Sequence, residues 1–241
     1  MWIPKLFRYS TVLFAAQNFQ ALDYFTQYDD SSSITTELSN FGLKSEYSWS
    51  SFLTQLNSSK YKLIFLARHG EGWHNVLDKR SDWDYISRFD TFENYTLFDA
   101  DLTPKGEDQI EQVSEYWTKE LKNDSPYPDL FYISPLRRTL HTYHITWSQN
   151  DDGIIPIVDE DLRERYGIQT PEKRHTKDWI AHYCPTCVFE NGFTEQDELW
   201  QPDVEETKQH VAERATAWLK TVFEKDEQIV SVTTHSGLIA Q

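Results

Sequence analysis

The triplet Arg68-His69-Gly70 is the part of this chain best suited to chemistry. A neutral imidazole is a nucleophile near pH 7, and a neighbouring guanidinium attracts an anionic reactant. Gly70 lets the backbone turn away without placing a Cβ in the path of a ligand. Such a triplet is common by chance, so its meaning depends on where the fold places it.

Two other stretches carry groups of the same kind. The segment DLFYISPLRRTLHT runs from apolar residues into Ser134 and then into Arg137 and Arg138, at a predicted helix start. Cations there are unfavourable for the helix dipole unless an anion lies between them and the backbone N–H groups. A later apolar run ends at His235. Taken alone, the two arginines would be a solvated surface pair and His235 would be a structural histidine. Together with Arg68 and His69, these two stretches predict an anion-binding site.

Short apolar runs that alternate with helical patterns must position these groups. The runs predict strands at 62–67, 130–133, 154–158 and 228–234, and the helical patterns lie near 105–121, 137–148 and 204–224. This alternation predicts an α/β fold, a three-layer αβα sandwich with a mostly parallel central sheet. Ligands bind beyond the carboxyl ends of such strands, so Arg68, His69, Arg138 and His235 are expected at one crevice.

Residues 1–60 are aromatic-rich but irregular, with one helix candidate. Trp49, Phe52, Leu53 and Leu56 recur at helical spacing, and Ser48 is a suitable cap. We predict an N-terminal extension, residues 1–60, packed on a catalytic domain formed by residues 61–241.

Composition limits the partners and the compartment. Twenty-three basic against thirty-nine acidic residues give a net charge of −16, which repels nucleic acid and anionic lipid. No run of eighteen apolar residues exists, and the apolar patch at 12–16 is shorter than a secretory core. These features predict no nucleic-acid or membrane partner and a cytoplasmic location, with the nucleus as a second compartment. They do not predict an oligomeric state.

Cys184 and Cys187 are the only cysteines. Two cysteines offer no disulfide framework and favour a reducing compartment. Half of a metal site with His182, or a redox pair, are the functional alternatives. We expect incidental thiols in a loop, because two ligands at this spacing are poor evidence for zinc.

Five ordered motifs resemble those of the histidine phosphatase superfamily, in its phosphoglycerate-mutase-like branch, and most closely those of fungal phosphomutase-like proteins. The resemblance runs from Tyr61 to the C-terminus. The motifs are Arg68-His69-Gly70 with Asn75, a Leu-Thr-x-x-Gly-x-x-Gln segment within 99–109, Ser134-x-Leu136-x-Arg138 with Thr142, LRERYG at 162–167, and Thr234-His235.

The resemblance implies a phosphoglycerate-mutase-like fold and a hydrolase that acts on a small phosphorylated molecule. His69 would attack phosphorus and hold the group as phosphohistidine, and Glu164 would carry the proton. A protonated His235 with Arg68 and Arg138 would share the phosphoryl oxygens, and Asn75 would add a neutral donor. The resemblance implies neither a metal nor another cofactor.

Several features depart from the family pattern. Gly72, Trp73 and His74 replace the polar residues common after its first histidine, and RERYG lacks the residue that mutases place between Arg and Tyr. These departures favour hydrolysis over the alternative, a phosphoglycerate-type phosphomutase. His74 would be either a substrate contact or a surface residue at the pocket edge.

The C-terminus provides a further alternative. Family members continue past the second histidine into a helix that covers the sheet, whereas this sequence ends six residues after His235. We therefore expect a truncated C-terminal part, which keeps open a non-catalytic, degenerate phosphate-binding protein. The substrate itself is not predicted. An aromatic group could form a pocket wall, although core packing is the favoured interpretation. Its members are Trp73, Trp83, Tyr85 and Phe89.

Overall fold

The computed structural model of the protein describes residues 9–15, 19–26, 39–55, 61–148, 153 and 155–241. Its strands are β1 (Tyr9–Ala15), β2 (Gln20–Leu22), β3 (Tyr61–Arg68), β4 (Thr91–Phe92), β5 (Tyr95–Thr96), β6 (Leu130–Ile133), β7 (Ile157–Val158), β8 (Val188–Phe189) and β9 (Ile229–Thr234). Its helices are α1 (Trp49–Gln55), α2 (Trp73–Leu77), α3 (Trp83–Ile86), α4 (Pro104–Leu121), α5 (Arg137–Trp147), α6 (Lys177–Tyr183), α7 (Lys208–Phe223) and α8 (Ser236–Ile239).

The main sheet has the strand order β2-β1-β3-β9-β6-β7-β8. The five strands from β3 to β8 in this order are parallel, and β1 and β2 add an antiparallel edge beside β3. The predicted α/β class with a mostly parallel central sheet is therefore confirmed. The antiparallel edge is a feature that the sequence analysis did not predict.

Helices cover both faces of the sheet. Successive side chains of a strand point to opposite faces, so Leu63 and Phe65 on β3 pack with α1, α4 and α5, whereas Ile64 packs with α7. Burial of both faces explains why β3 reads as a nearly continuous apolar run. The predicted three-layer arrangement is confirmed.

The predicted elements agree with the structure except at some ends. The strand predicted at 130–133 is found as β6. The strand predicted at 62–67 is found as β3, one residue longer at each end, and the strand predicted at 228–234 is found as β9, which begins one residue later. For the strand predicted at 154–158, the structure has β7 at Ile157–Val158, and residue 154 lies outside the described residues. Helix α7 begins four residues later than predicted because the Thr207 side chain accepts the His210 N–H and caps it.

The described part of residues 1–60 packs on the remainder. Helix α1 confirms the predicted helix, and Ser48 Oγ accepts the Ser51 N–H as its cap, while Leu56 lies outside the described residues. Phe41 and Phe52 join Phe65 in the core. The domain boundary after residue 60 stays a prediction.

The prediction of incidental thiols is wrong, because Cys184 and Cys187 form a disulfide. Cys184 follows the last residue of α6, and its carbonyl accepts the Cys187 N–H at 3.0 Å in a turn before β8. This turn holds the two Cα atoms 5.4 Å apart, a separation that a disulfide spans.

Among the helices of the described residues, none combines the length and the apolar character that a bilayer-spanning segment needs.

Candidate active site

Three adjacent strands bring their carboxyl ends together at the predicted crevice. Arg68 at the end of β3 lies opposite Thr234 of β9, and the His69 N–H donates to the Thr234 carbonyl at 3.1 Å. On the other side of β9, the Ser134 N–H donates to the Thr233 carbonyl at 3.0 Å. Because the central strands are in register, the three predicted motifs lie side by side.

His69 has the protonation state that a nucleophile needs. The imidazole is buried, and its Nδ1 lies 2.7 Å from the Gly70 carbonyl, which only accepts, so Nδ1 carries the hydrogen and Nε2 keeps its lone pair. Burial lowers the pKa of His69 well below its usual value, and the charges of Arg138 and Arg68 lower it further. His69 is therefore neutral near pH 7, with Nε2 as the reactive atom.

The loop after His69 is held by the start of α4. A Cβ on Gly70 would lie 2.7 Å from the Gly106 carbonyl oxygen, so the two backbones touch where neither residue has a side chain. The Gly70 N–H donates to Thr142 Oγ1 at 3.1 Å, and the Glu71 N–H donates to Gln109 Oε1 at 3.0 Å. The Leu-Thr-x-x-Gly-x-x-Gln segment and Thr142 thus form the scaffold for the nucleophile loop.

Arg138 is completely buried beside the nucleophile. Its Nη1 donates to the Pro171 carbonyl at 2.7 Å, and its Nη2 donates to Glu172 Oε2 at 2.8 Å and to His235 Nδ1 at 3.3 Å. Its buried Nε–H has no hydrogen-bond partner among the described residues. The guanidinium is therefore fixed in place and retains a donor that an anion can engage.

His235 is neutral in this arrangement, in contrast to the protonated form that the sequence analysis expected. An arginine nitrogen only donates, so His235 Nδ1 accepts, and Nε2 then donates to Ser134 Oγ at 2.7 Å. Burial and then the charge of Arg138 lower the pKa of His235 well below its usual value. The centroids of the His69 and His235 rings are 5.1 Å apart. An anion at this point would raise the pKa of His235, and the added proton would go to Nδ1 once that atom is released from Arg138.

Arg68 precedes the nucleophile in the chain, and Asn75 contacts His74 in the loop that follows it. The charge of Arg68 lowers the pKa of His69 and of His74, which puts the guanidinium within electrostatic range of both rings. Asn75 Oδ1 accepts the Gly72 N–H at 3.1 Å, and its Nδ2 lies 2.9 Å from His74 Nε2. One Nδ2 hydrogen of Asn75 is thereby committed to His74, and a phosphate contact by Asn75 stays a prediction.

Glu164 lies beside the loop that follows His235. Its Oε2 accepts the Gly237 N–H at 2.9 Å, and its Oε1 accepts the Arg165 N–H at 3.0 Å. Within the described part of the chain, no hydrogen bond or ion pair joins Glu164 to His69. The role of Glu164 as the proton carrier stays a prediction.

The structure adds one residue that sequence reasoning missed, Glu172, and decides between the two alternatives given for another, His74. Glu172, the partner of Arg138, is buried, and this burial raises its pKa although Arg138 opposes the shift. It lies outside every recognised motif, so no local signal pointed to it. His74 is buried against His69, with ring centroids 5.3 Å apart, which rules out the surface-residue alternative. Its place in the loop after the nucleophile was the available signal.

Two further alternatives from the sequence concern the aromatic group after the nucleophile and a half metal site at the cysteines. Tyr85 and Phe89 are 67% and 45% exposed, so the favoured interpretation of core packing is wrong for these two. His182 Nδ1 contacts the Asp178 carbonyl at 2.7 Å rather than either cysteine. The described residues contain no group of three or more His, Cys, Asp or Glu side chains arranged to hold a metal ion.

Comparisons with known proteins show which sequences and structures the chain resembles. The family model of the histidine phosphatase superfamily (branch 1) matches residues 64–241. The chain is 41% identical to "Phosphomutase-like protein 3" of Candida albicans, over 97% of this chain and 76% of that protein. It is 35% identical to "Probable phosphoglycerate mutase" of Arthroderma benhamiae, over 75% of this chain and 56% of that protein. It is also similar to the solved structure of the alpha-ribazole phosphatase from Shigella flexneri, with 19% identity, a TM-score of 0.45, and coverage of 73% of this chain and 75% of that one.

Proposed function

The chain belongs to branch 1 of the histidine phosphatase superfamily, and from this premise we propose that it is a phosphoric monoester hydrolase working through a phosphohistidine on His69. The observation that carries the proposal is the tautomer of His69. Its Nδ1–H is fixed on the Gly70 carbonyl, so its Nε2 lone pair is available beside the buried guanidinium of Arg138.

The first step forms the phosphoenzyme. The His69 Nε2 lone pair attacks phosphorus, the P–N bond forms, and the bond to the ester oxygen breaks with its electron pair leaving on that oxygen. Glu164, in its protonated form, gives the departing oxygen a proton and becomes a carboxylate. The products of this step are the alcohol and the phosphohistidine.

The second step returns the enzyme to its starting state. Water attacks phosphorus, Glu164 takes a proton from it, and the P–N bond breaks with its electron pair returning to Nε2. Inorganic phosphate leaves, and both His69 and Glu164 are restored.

Fixed cations stabilise the transferring group in this scheme. Arg138 offers its buried Nε–H, Arg68 lies within electrostatic range, and His235 gains a proton more readily once a phosphoryl anion is beside it. Preorganised donors in a water-poor site stabilise developing charge strongly. The scheme routes no step through a metal ion.

Steady-state hydrolysis of p-nitrophenyl phosphate tests this proposal. We expect continuous release of phosphate and p-nitrophenol in equal amounts by the wild-type chain and none by His69→Asn, which keeps polarity but lacks the nucleophile. Equal turnover by the two proteins would refute the proposal. A single burst of one equivalent without turnover would instead support the degenerate, phosphate-retaining alternative.

A phosphomutase is the second candidate, favoured by the names of the two relatives. A mutase would isomerise 3-phosphoglycerate only with a bisphosphorylated primer and would release little phosphate. We expect the primer to have no effect on product formation. Primer-dependent isomerisation would support the mutase instead.

A further inference from the structure

On the basis of the proposed function, we propose that His74 is a substrate-binding residue whose Nδ1–H donates a hydrogen bond to an oxygen of the phosphoryl group at His69. Three independent features of the described residues support it: the position of the ring, its tautomer, and the space left for it by Gly72.

The ring of His74 is placed to share a ligand with His69. It is buried, and its centroid lies 5.3 Å from that of His69, nearly the same separation as between His69 and His235. The nucleophile therefore has two imidazole neighbours, of which only His235 belongs to a motif identified from the sequence.

The hydrogen bonds of the loop fix the tautomer of His74. The Gly72 N–H donates to Asn75 Oδ1, which leaves the Asn75 Nδ2 facing His74 Nε2 at 2.9 Å. An amide nitrogen only donates, so Nε2 accepts and the hydrogen of the neutral ring is on Nδ1. Burial and the nearby arginines lower the pKa of His74, which keeps the ring neutral.

The Nδ1–H of His74 lacks an acceptor in the part of the chain that the structure describes. The atom is buried and has no hydrogen-bond partner among the described residues. A buried donor without a partner is costly and is rarely kept without a reason. An oxygen of a phosphoryl group held by Arg138 and Arg68 would provide the missing acceptor.

Gly72 leaves the space that this edge of the ring occupies. A Cβ at residue 72 would lie 2.7 Å from His74 Nδ1 and 2.8 Å from its Cε1. Gly72 has a φ of −96°, which any residue can adopt, so the position requires space rather than unusual backbone geometry. Gly72 and His74, two departures from the family pattern, therefore depend on each other.

Nitrogen NMR of the full chain, labelled with ¹⁵N-histidine, tests the contact with orthovanadate as the probe. His74→Phe assigns the His74 signals by their loss. We expect vanadate to shift the His74 Nδ1 resonance and to slow exchange of its attached proton. An unchanged resonance at saturating vanadate, or no vanadate binding by the wild-type chain, would overturn the proposal.

Affinity measurements with variants give a second readout. We expect His74→Phe to weaken vanadate binding about tenfold. His74→Asn keeps an N–H donor, so its affinity for vanadate should fall less. His144→Phe is the matched control. His144 is a half-buried histidine on α5 whose Nε2 is also unpartnered among the described residues, and its ring packs against Tyr143 and Tyr183. Wild-type affinity in a folded His74→Phe would also overturn the proposal. Vanadate binding at His74 without ester turnover would uphold the contact and reject the hydrolase, so the two failures are distinguishable.

Discussion

The guanidinium of Arg138 donates to the imidazole of His235, with Nη2 3.3 Å from Nδ1. The same Nη2 donates to Glu172, and His235 in turn donates to Ser134, so one chain of bonds runs from a buried carboxylate across the site to the end of β6. This chain keeps His235 neutral and fixes Arg138 before any anion binds. Preorganisation of this kind reduces the reorganisation needed when the phosphoryl group becomes more negative.

Loss of the Glu172 charge should weaken this chain. Glu172→Gln leaves the buried Arg138 without its counter-charge, so we expect the free energy of unfolding to fall by about 3 kcal/mol. Inorganic phosphate supplies a replacement charge, so it should raise the melting temperature of the variant more than that of wild type. Calorimetry with and without phosphate measures both effects.

Glu160→Gln is the matched control for this prediction. Glu160 pairs with the buried Arg163 and Arg174. Arg163 also donates to the backbone carbonyl of Glu172, but among the described residues the hydrogen bond to the Glu172 carboxylate comes from Arg138. Glu160→Gln should lower the free energy of unfolding, but phosphate should raise the melting temperature of this variant no more than that of wild type. An equal gain in both variants would show that Glu172 has no special relation to the site.

Gly72→Ala should lower the free energy of unfolding mainly through its overlap with His74. The new methyl group would overlap the imidazole, and overpacking of this kind costs about 1–3 kcal/mol. In a His74→Ala background we expect that cost to fall by more than half, a coupling that urea unfolding of the four proteins measures. A His144→Ala background is the control and should leave the cost unchanged. Additive effects of Gly72→Ala and His74→Ala would contradict the packing described for the loop.

Glu164→Gln should affect substrates according to their leaving groups. A poor alkoxide leaving group needs a proton, so we expect kcat/KM for an alkyl phosphate to fall about 100-fold or more. The p-nitrophenolate group leaves with little help from a proton, so the rate of phosphorylation by p-nitrophenyl phosphate should fall far less. Rapid-quench kinetics of that step measures the two rates.

Gly237→Ala provides an independent version of this test. A Cβ at Gly237 would lie 1.7 Å from Glu164 Oε1, so the carboxylate must move. The variant should reproduce the leaving-group dependence of Glu164→Gln, whereas Glu172→Gln should affect both substrates equally. Equal losses of rate with both substrates in Glu164→Gln would show that Glu164 is not the proton carrier.

Stability should depend on pH through His74. Its folded-state pKa is lowered, so below the unfolded value of 6.5 the unfolded chain binds more protons. The stability contributed by the neutral ring is therefore full above pH 6.5 and is lost as the pH falls. Between pH 6.5 and 5, the free energy of unfolding of wild type should fall by up to about 1.4 kcal/mol more per pH unit than that of His74→Phe.

Buried carboxyls act in the opposite direction in both proteins. Burial raises the pKa of Asp99 to about 7 and that of Asp159 to about 8, and these groups add stability as the pH falls. Their contribution cancels when the unfolding curve of the variant is subtracted from that of wild type. Parallel pH profiles for the two proteins would contradict a neutral buried His74.

The strands and the convergence of Arg68, His69, Arg138 and His235 could be predicted because they depend on local patterns. Apolar runs identify buried parallel strands, and parallel strands place their carboxyl ends at one edge. The fit of these motifs to a known family supplied their order and chemistry.

Long-range pairings could not be predicted in this way. Glu172 approaches Arg138 through the fold rather than through a motif, and β1 pairs with β3 across a sequence separation that carries no local signal. Strand β8 has two residues, too few for an alternating pattern. The disulfide depends on a turn geometry that the spacing of Cys184 and Cys187 allows but does not require.

Trapping the intermediate tests the central claim most directly. Wild-type protein mixed with a ³²P-labelled phosphate ester in EDTA and quenched in alkali should carry label on His69, identified by peptide mapping, and should release it in acid. The label should form and decay at rates consistent with turnover, and His69→Asn should carry none. Turnover without a labelled protein, label on another residue, or a requirement for a divalent cation would contradict the account.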